Sequence, residues 1–178
     1  TTRAGLLTRP LRDRFQIQFQ MEFYQPEELS VIITKSAERL GVSLTTDASL
    51  ELAKRSRGTP RVANRMLRRA RDFAQVEGDG TITLDLTKFA LERLGIDEVG
   101  LDSTDRKILH TIADKFDGGP VGLNNLSTAL GEESDTISEK YEPFLIMKGF
   151  IQRTQQGRVI TARGRQHINY KGGQGKLF

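Results

Sequence analysis

Apolar residues recur at helical spacing in seven successive stretches of this chain, and only two stretches abandon that period for strict alternation. A stripe that repeats every 3.6 residues has to be buried against another helix, whereas alternation buries one face of a strand. The alternating stretches are "FQIQFQMEF" at 15–23 and "FIQRTQQGRVIT" at 150–161. The chain is therefore expected to be mainly α with a small β component. With 178 residues it is long enough for one domain or two small ones.

The helical stretches are well punctuated. "QPEELSVIITKSAERLG" has Pro26 at the first helical position, Glu27 and Glu28 in the first turn and Gly41 as its stop. Leu29, Ile32, Ile33, Ala37 and Leu40 form its stripe. Asp47 is positioned to cap a short helix with Leu50, Leu52 and Ala53 facing inward. Thr59 and Pro60 give an N-cap and first position to a third helix, with a stripe of Val62, Met66, Ala70 and Phe73 flanked by Ala63 and Leu67. After a "GDG" turn at 78–80, Asp85 starts a fourth helix that ends near Leu94. These four make a small bundle at 25–99.

"GIDEVGLD" at 95–102 reads as a linker. A capped helix follows, with Ile108, Leu109, Ile112 and Phe116 inside, and "GGP" ends it. "VGLNNLSTALG" is a short helix stopped by Gly131. "SDTISEKYEPFLIMKG" is another, bent at Pro143 and stopped by Gly149. The second alternating stretch then folds back at "TQQG" as a hairpin, and "ARGRQHI" adds a last turn. Three helices and a β-hairpin in this order form a winged helix at 100–170, with its third helix as the reader of a DNA groove. Residues 1–24 resemble the end of another domain, because a lone strand at 15–23 needs a sheet from elsewhere. Residues 171–178 are expected to form a flexible tail.

Charge placement narrows the function. Residues 54–71 hold eight Lys or Arg and no acid, and no acid follows Glu142. Two acid-free basic blocks favour polyanionic partners. No apolar run approaches the ~20 residues of a membrane span. There are no cysteines and only two histidines, so disulfides and ordinary zinc sites are excluded. His110 sits among inward residues, which favours a structural role. No P-loop, Ser-His-Asp constellation, metalloprotease helix or EF-hand loop is present, so the chain alone is not expected to hydrolyse ATP.

Arg61 poses a physical problem. It stands in the first turn of a helix, where backbone partial charge already opposes a cation. An anion bound at that helix start removes the conflict, since the N–H groups and the guanidinium then face one phosphate. A side chain bent back to solvent removes it equally well. Arg12 and Arg14 in "LRDRF" raise the same choice.

The segments "TTRAGLLTRPLRDRF", "EFYQ", "RGTPRVANRMLRRARDFA", "DRKILHTI", "GGPVGLNNLSTALGEESDTI", "YEPFLIMKGFIQRT" and "GRVITARG" together resemble the RuvB family of bacterial AAA+ motors for Holliday-junction branch migration. The resemblance runs through nearly the whole chain, in family order. It implies the tail of a large AAA+ ATPase domain, a helical lid and a winged helix, with the Walker motifs upstream. It implies that Arg14 is an arginine finger acting on a neighbouring subunit, that Tyr24 lies beside the nucleotide, and that Arg61 is the sensor-2 arginine at the γ-phosphate. Thr1 and Thr2 fall where the sensor-1 strand ends. Arg153 and Arg158 match positions that contact the DNA backbone.

The implied ligands are ATP or ADP with Mg2+. The implied partners are junction DNA, five further copies in a hexameric ring, and RuvA and RuvC. The setting is recombination, repair and the SOS response in a bacterial cytoplasm. The chain has Gln155 and Gln156 where the family commonly has a Pro-Arg pair, and Ser134 where a basic residue is common, which implies fewer phosphate contacts. Three other readings stand beside this one: another AAA+ loader, a winged-helix transcription regulator and a protein-binding adaptor. A GxxxxGK[ST] motif upstream would separate the two motor readings from the other two.

Overall fold

The computed structural model describes residues 8–15, 17, 19 and 22–169. A short helix α1 (Arg9–Arg14) comes first. The described residues of 15–23 are exposed and lie outside any strand, and the rest of that expected strand lies outside the described residues. So does the expected tail at 171–178.

The lid is built from α2 (Pro26–Arg39), α3 (Thr46–Arg55), α4 (Pro60–Glu77) and α5 (Leu84–Arg93). Gln25 and Glu28 close a capping box at the start of α2, with the Gln25 N–H donating to Glu28 at 2.9 Å. Leu29, Ile33, Leu52, Leu67, Ala70 and Leu91 are fully buried at its centre. In α4 the buried stripe is Ala63, Met66, Leu67, Ala70 and Ala74, so Val62 and Phe73 sit at its edge. Leu40, expected inside, is exposed at the C-cap of α2.

Two helices start before the acids expected at their beginnings, Asp47 and Asp85. Thr45 precedes α3, and Asp47 accepts the Thr45 hydroxyl and the Ala48 N–H from within the first turn. Thr83 caps α5 by accepting the Leu86 N–H at 3.3 Å. A two-residue parallel pairing of β1 (Ser43–Leu44) with β2 (Thr81–Ile82) joins the loops before α3 and α5.

A second core begins at Val99 and Leu101 and holds α6 (Ser103–His110), α7 (Leu123–Leu130), α8 (Ser134–Thr136), α9 (Glu142–Met147) and α10 (Ala162–His167). Asp102 and Asp105 form the capping box of α6. A π-helical turn, Thr111–Lys115, extends α6. A second one, Ile137–Tyr141, joins α8 to α9 just before Pro143. Proline has no N–H to donate and its ring crowds the preceding carbonyls, so the widened turn is how the helix passes the bend. Tyr141, Glu142, Phe144 and Leu145 all emerge buried.

The wing pairs β3 (Ile151–Thr154) with β4 (Gly157–Ile160). Val121 adds a bridge on the far side of β4, exchanging both backbone bonds with Arg158 at 2.8 and 2.9 Å. This approach needs glycine, because a Cβ on Gly157 would lie 2.3 Å from the Val121 carbonyl oxygen.

The expected linker at 95–102 is a structured junction. Asp97 accepts the Val99 and Leu101 N–H groups and pairs with His167 at 2.8 Å. Arg106 donates to the Gly95 carbonyl at 2.9 Å. Among the described residues no helix is long and apolar enough to cross a membrane.

Candidate nucleotide-facing and nucleic-acid-facing sites

The backbone of Tyr24 is tied to the loop that leads into the helix of Arg61. Tyr24 is exposed, and its N–H donates to the Gly58 carbonyl at 3.0 Å. Three residues beyond Gly58, Arg61 stands exposed in the first turn of α4, which contains no acid. Arg61, Asn64, Arg65 and Arg68 line a concavity of about 440 Å³ along that helix. Arg14 is exposed at the end of α1. Beyond it Phe15, Ile17, Phe19 and Phe23 leave their apolar side chains uncovered, Phe19 at 85%.

The loop between α3 and α4 also holds a residue that sequence reasoning passed over. Arg57 has φ +57°, a left-handed conformation that costs a non-glycine residue about 1–2 kcal/mol. Its guanidinium leaves the lid. It donates to the Gly100 carbonyl at 3.2 Å and to Asp102 at 3.0 Å, pairs with Asp105, and lies 5.0 Å from the centre of the Phe144 ring. Asp105 is fully buried and its Oδ1 has no partner. Burial pushes its carboxyl up to about 7, against the pull of the adjacent Arg57 guanidinium. The only sequence signal for this cluster is an arginine directly before a glycine in a short helix–helix connection.

The two wing arginines are direct cross-strand partners, Arg153 opposite Arg158. The fold also brings one acid to both of them. Glu142, brought inward on α9, accepts both Nε (3.2 Å) and Nη2 (2.9 Å) of Arg158. It also lies 3.6 Å from Arg153. Like charges placed opposite each other on a sheet repel, and the carboxylate between them offsets this. The side chains differ sharply in exposure: 8% for Arg158 and 63% for Arg153. Arg158, expected on a phosphate, is thus committed to a buried ion pair. Arg153 is the member of the pair that reaches solvent.

The third helix, expected to read a groove, carries both signs of charge on its exposed positions. Its exposed positions include Asp135, Glu139, Pro143, Ile146 and Met147, with Lys140 as the cation among them. His110, expected inward, has a half-exposed side chain 3.4 Å from Asp114.

Comparison with known proteins gives these sites a context. The model of the RuvB AAA lid domain matches residues 24–97, and that of the RuvB C-terminal winged helix domain matches 98–169. The Holliday junction branch migration complex subunit RuvB of Myxococcus xanthus is 56% identical over 181 residues, covering 100% of this chain and 53% of the relative. That of Flavobacterium psychrophilum is 54% identical over 168 residues, covering 94% and 49%. The solved structure of the Thermotoga maritima RuvB Holliday junction branch migration motor superposes with a TM-score of 0.90 at 46% identity, covering 95% of this chain and 57% of that one. The chain spans about half the length of the curated relatives it matches. An AAA lid that presents Arg61 and a winged helix that presents Arg153 are thus matched end to end by one family, and this chain belongs to the RuvB family.

Proposed function

We propose that this chain is the lid and winged-helix portion of an ATP-driven motor that moves DNA duplex during branch migration of Holliday junctions. The observation that carries the proposal is the cationic start of α4, where exposed Arg61 lines a concavity with Asn64, Arg65 and Arg68. That helix start has no acid in its first turn, so its donors suit a polyphosphate. In a ring of six copies, ATP would lie between subunits. Arg61 would face the γ-phosphate bound by its own subunit, and Arg14 the one bound by its neighbour. Tyr24 would flank the nucleotide. Mg2+ would neutralise phosphate charge. Among the described residues no group of three or more carboxylates or imidazoles could hold a metal ion, so no described side chain is assigned to it. Loss of the γ-phosphate would remove the anion that both arginines hold, and the lid would turn. The proposed setting is the bacterial cytoplasm, with RuvA and RuvC as partners.

The test is Arg61→Ala in the longer protein that carries the ATPase domain. Both ATP hydrolysis and movement of a four-way junction are expected to be lost, with the defect confined to sites of the mutant subunit. Unimpaired hydrolysis would remove Arg61 from the nucleotide.

The winged helix would follow the duplex by its phosphates without reading bases. The solvent-exposed cation of the hairpin, Arg153, makes the wing the proposed contact. Arg153 would make that contact, while Arg158 and Glu142 hold the strand beneath it. Replacing Arg153 with Ala should weaken binding to unrelated duplexes alike and lower the slope of log K against log salt by about 0.9. A salt titration on two duplexes and a four-way junction checks this. A loss confined to one sequence would instead mark a base contact.

A further inference from the structure

The short loop from Ser56 to Thr59 serves three neighbours at once. Its Gly58 carbonyl receives the Tyr24 N–H from the segment that arrives from the N-terminal side. Its far end starts α4 and so sets where Arg61 stands. Its Arg57 side chain reaches Gly100, Asp102 and Asp105 at the start of α6 and lies against Phe144 of α9. The backbones also touch beside this cluster: a Cβ on Gly100 would lie 2.6 Å from the Arg55 carbonyl oxygen. Among the described residues no other side-chain hydrogen bond or ion pair joins this loop to α6. The side-chain hydrogen bonds of Arg106 and His167 toward the lid end on Gly95 and Asp97 beyond α5.

We propose that Arg57 is a positioning residue, which fastens the loop presenting Arg61 to the first helix of the winged helix so that the two move as one body. This rests on the reading of Arg61 as a phosphate-facing residue. A pull on the wing would then reach Arg61 through one guanidinium and two carboxylates. The left-handed backbone at Arg57 supports the same assignment, because a side chain in that conformation persists where its surroundings over-determine it. Without the clamp, glycine would suit the position better.

The chain has no cysteine, so Lys35→Cys on α2 and Asn125→Cys on α7, both exposed, give one unambiguous pair of spin-label sites. Distances measured between them are expected to form one narrow distribution in the otherwise unchanged chain. Arg57→Ala should broaden it. Arg57→Gly should broaden it too, although glycine adopts the local backbone without strain, which assigns the effect to the lost side chain. An unchanged width in Arg57→Gly overturns the clamp. In the longer ATPase-bearing protein, Arg57→Gly should bring the ratio of hydrolysis rates with and without duplex DNA down toward 1. A ratio equal to that of the parent protein overturns the transmission. The distance measurement needs neither ATP nor DNA. A parent protein whose hydrolysis ignores duplex therefore sinks the motor reading alone, while the clamp is judged by the distribution.

Discussion

Glu142→Ala is expected to cost the winged helix about 3–5 kcal/mol, because it leaves the Arg158 guanidinium buried without its carboxylate. The carboxylate lies in the core beside Tyr141, Phe144 and Leu145, where water cannot replace it. Arg158→Ala should cost a similar amount for the converse reason: Glu142, 3% exposed, would keep only Arg153 at 3.6 Å. Replacing both with methionine should recover most of the loss, since an apolar pair of similar volume avoids the desolvation of two ions. Each kcal/mol moves the melting midpoint of a domain this size by about 4–8 °C. Either single change should therefore be plain in a thermal melt, and hydrogen exchange of β3 and β4 should localise it. A cost below about 1 kcal/mol for Glu142→Ala would mean that solvent reaches the pair. The expected pattern also sorts two arginines of one hairpin into different roles: loss of Arg153 weakens DNA binding with the fold intact, and loss of Arg158 weakens the fold itself.

Arg14→Ala, placed in the longer protein, is expected to lower ATP hydrolysis about 10³-fold or more while ATP still binds. An arginine finger contributes on that scale in the related P-loop NTPases by spreading charge in the transition state. Arg14 is exposed at the end of α1, as a residue offered to another subunit would be. The diagnostic experiment mixes mutant and parent subunits. A finger acting across the boundary silences its neighbour's site, so activity should fall faster than the mutant fraction in a ring whose sites fire in turn. Arg61→Ala should instead silence the mutant subunit's own site, as its proposed role requires. Activity that falls in proportion to the Arg14 mutant fraction, with intact neighbours, would overturn the trans assignment.

What the sequence disclosed follows from the range over which each signal acts. Helix stops at Gly41, Gly131 and Gly149 are local, and each glycine is found with positive φ at its helix end. The hairpin turn at Gln155 and Gln156 is equally local, and its register follows from the turn. Features set by distant partners were not legible. Glu142 meets Arg158 across 16 residues, just after a π-helical turn. Arg57 meets Asp102 and Asp105 across 45 and 48 residues. The β1–β2 pairing is two residues long on each side, too short to show alternation. Residues 95–102 resemble a linker in composition, yet Asp97 orders them by accepting two N–H groups and the His167 ring. The ATP-facing assignments came from resemblance, because a lone arginine at a helix start is physically ambiguous.

The edges of the wing carry one more consequence. Val121 pairs with the outer side of β4, and among the described residues no strand pairs with the outer side of β3. An open edge is a template on which another copy can add a strand, and proteins blunt such edges with short length and charge. Here the strand is four residues long, with Arg153 in its middle and exposed polar neighbours Gln152 and Thr154. The same cation proposed to meet a phosphate therefore guards against edge-to-edge aggregation wherever many copies crowd together.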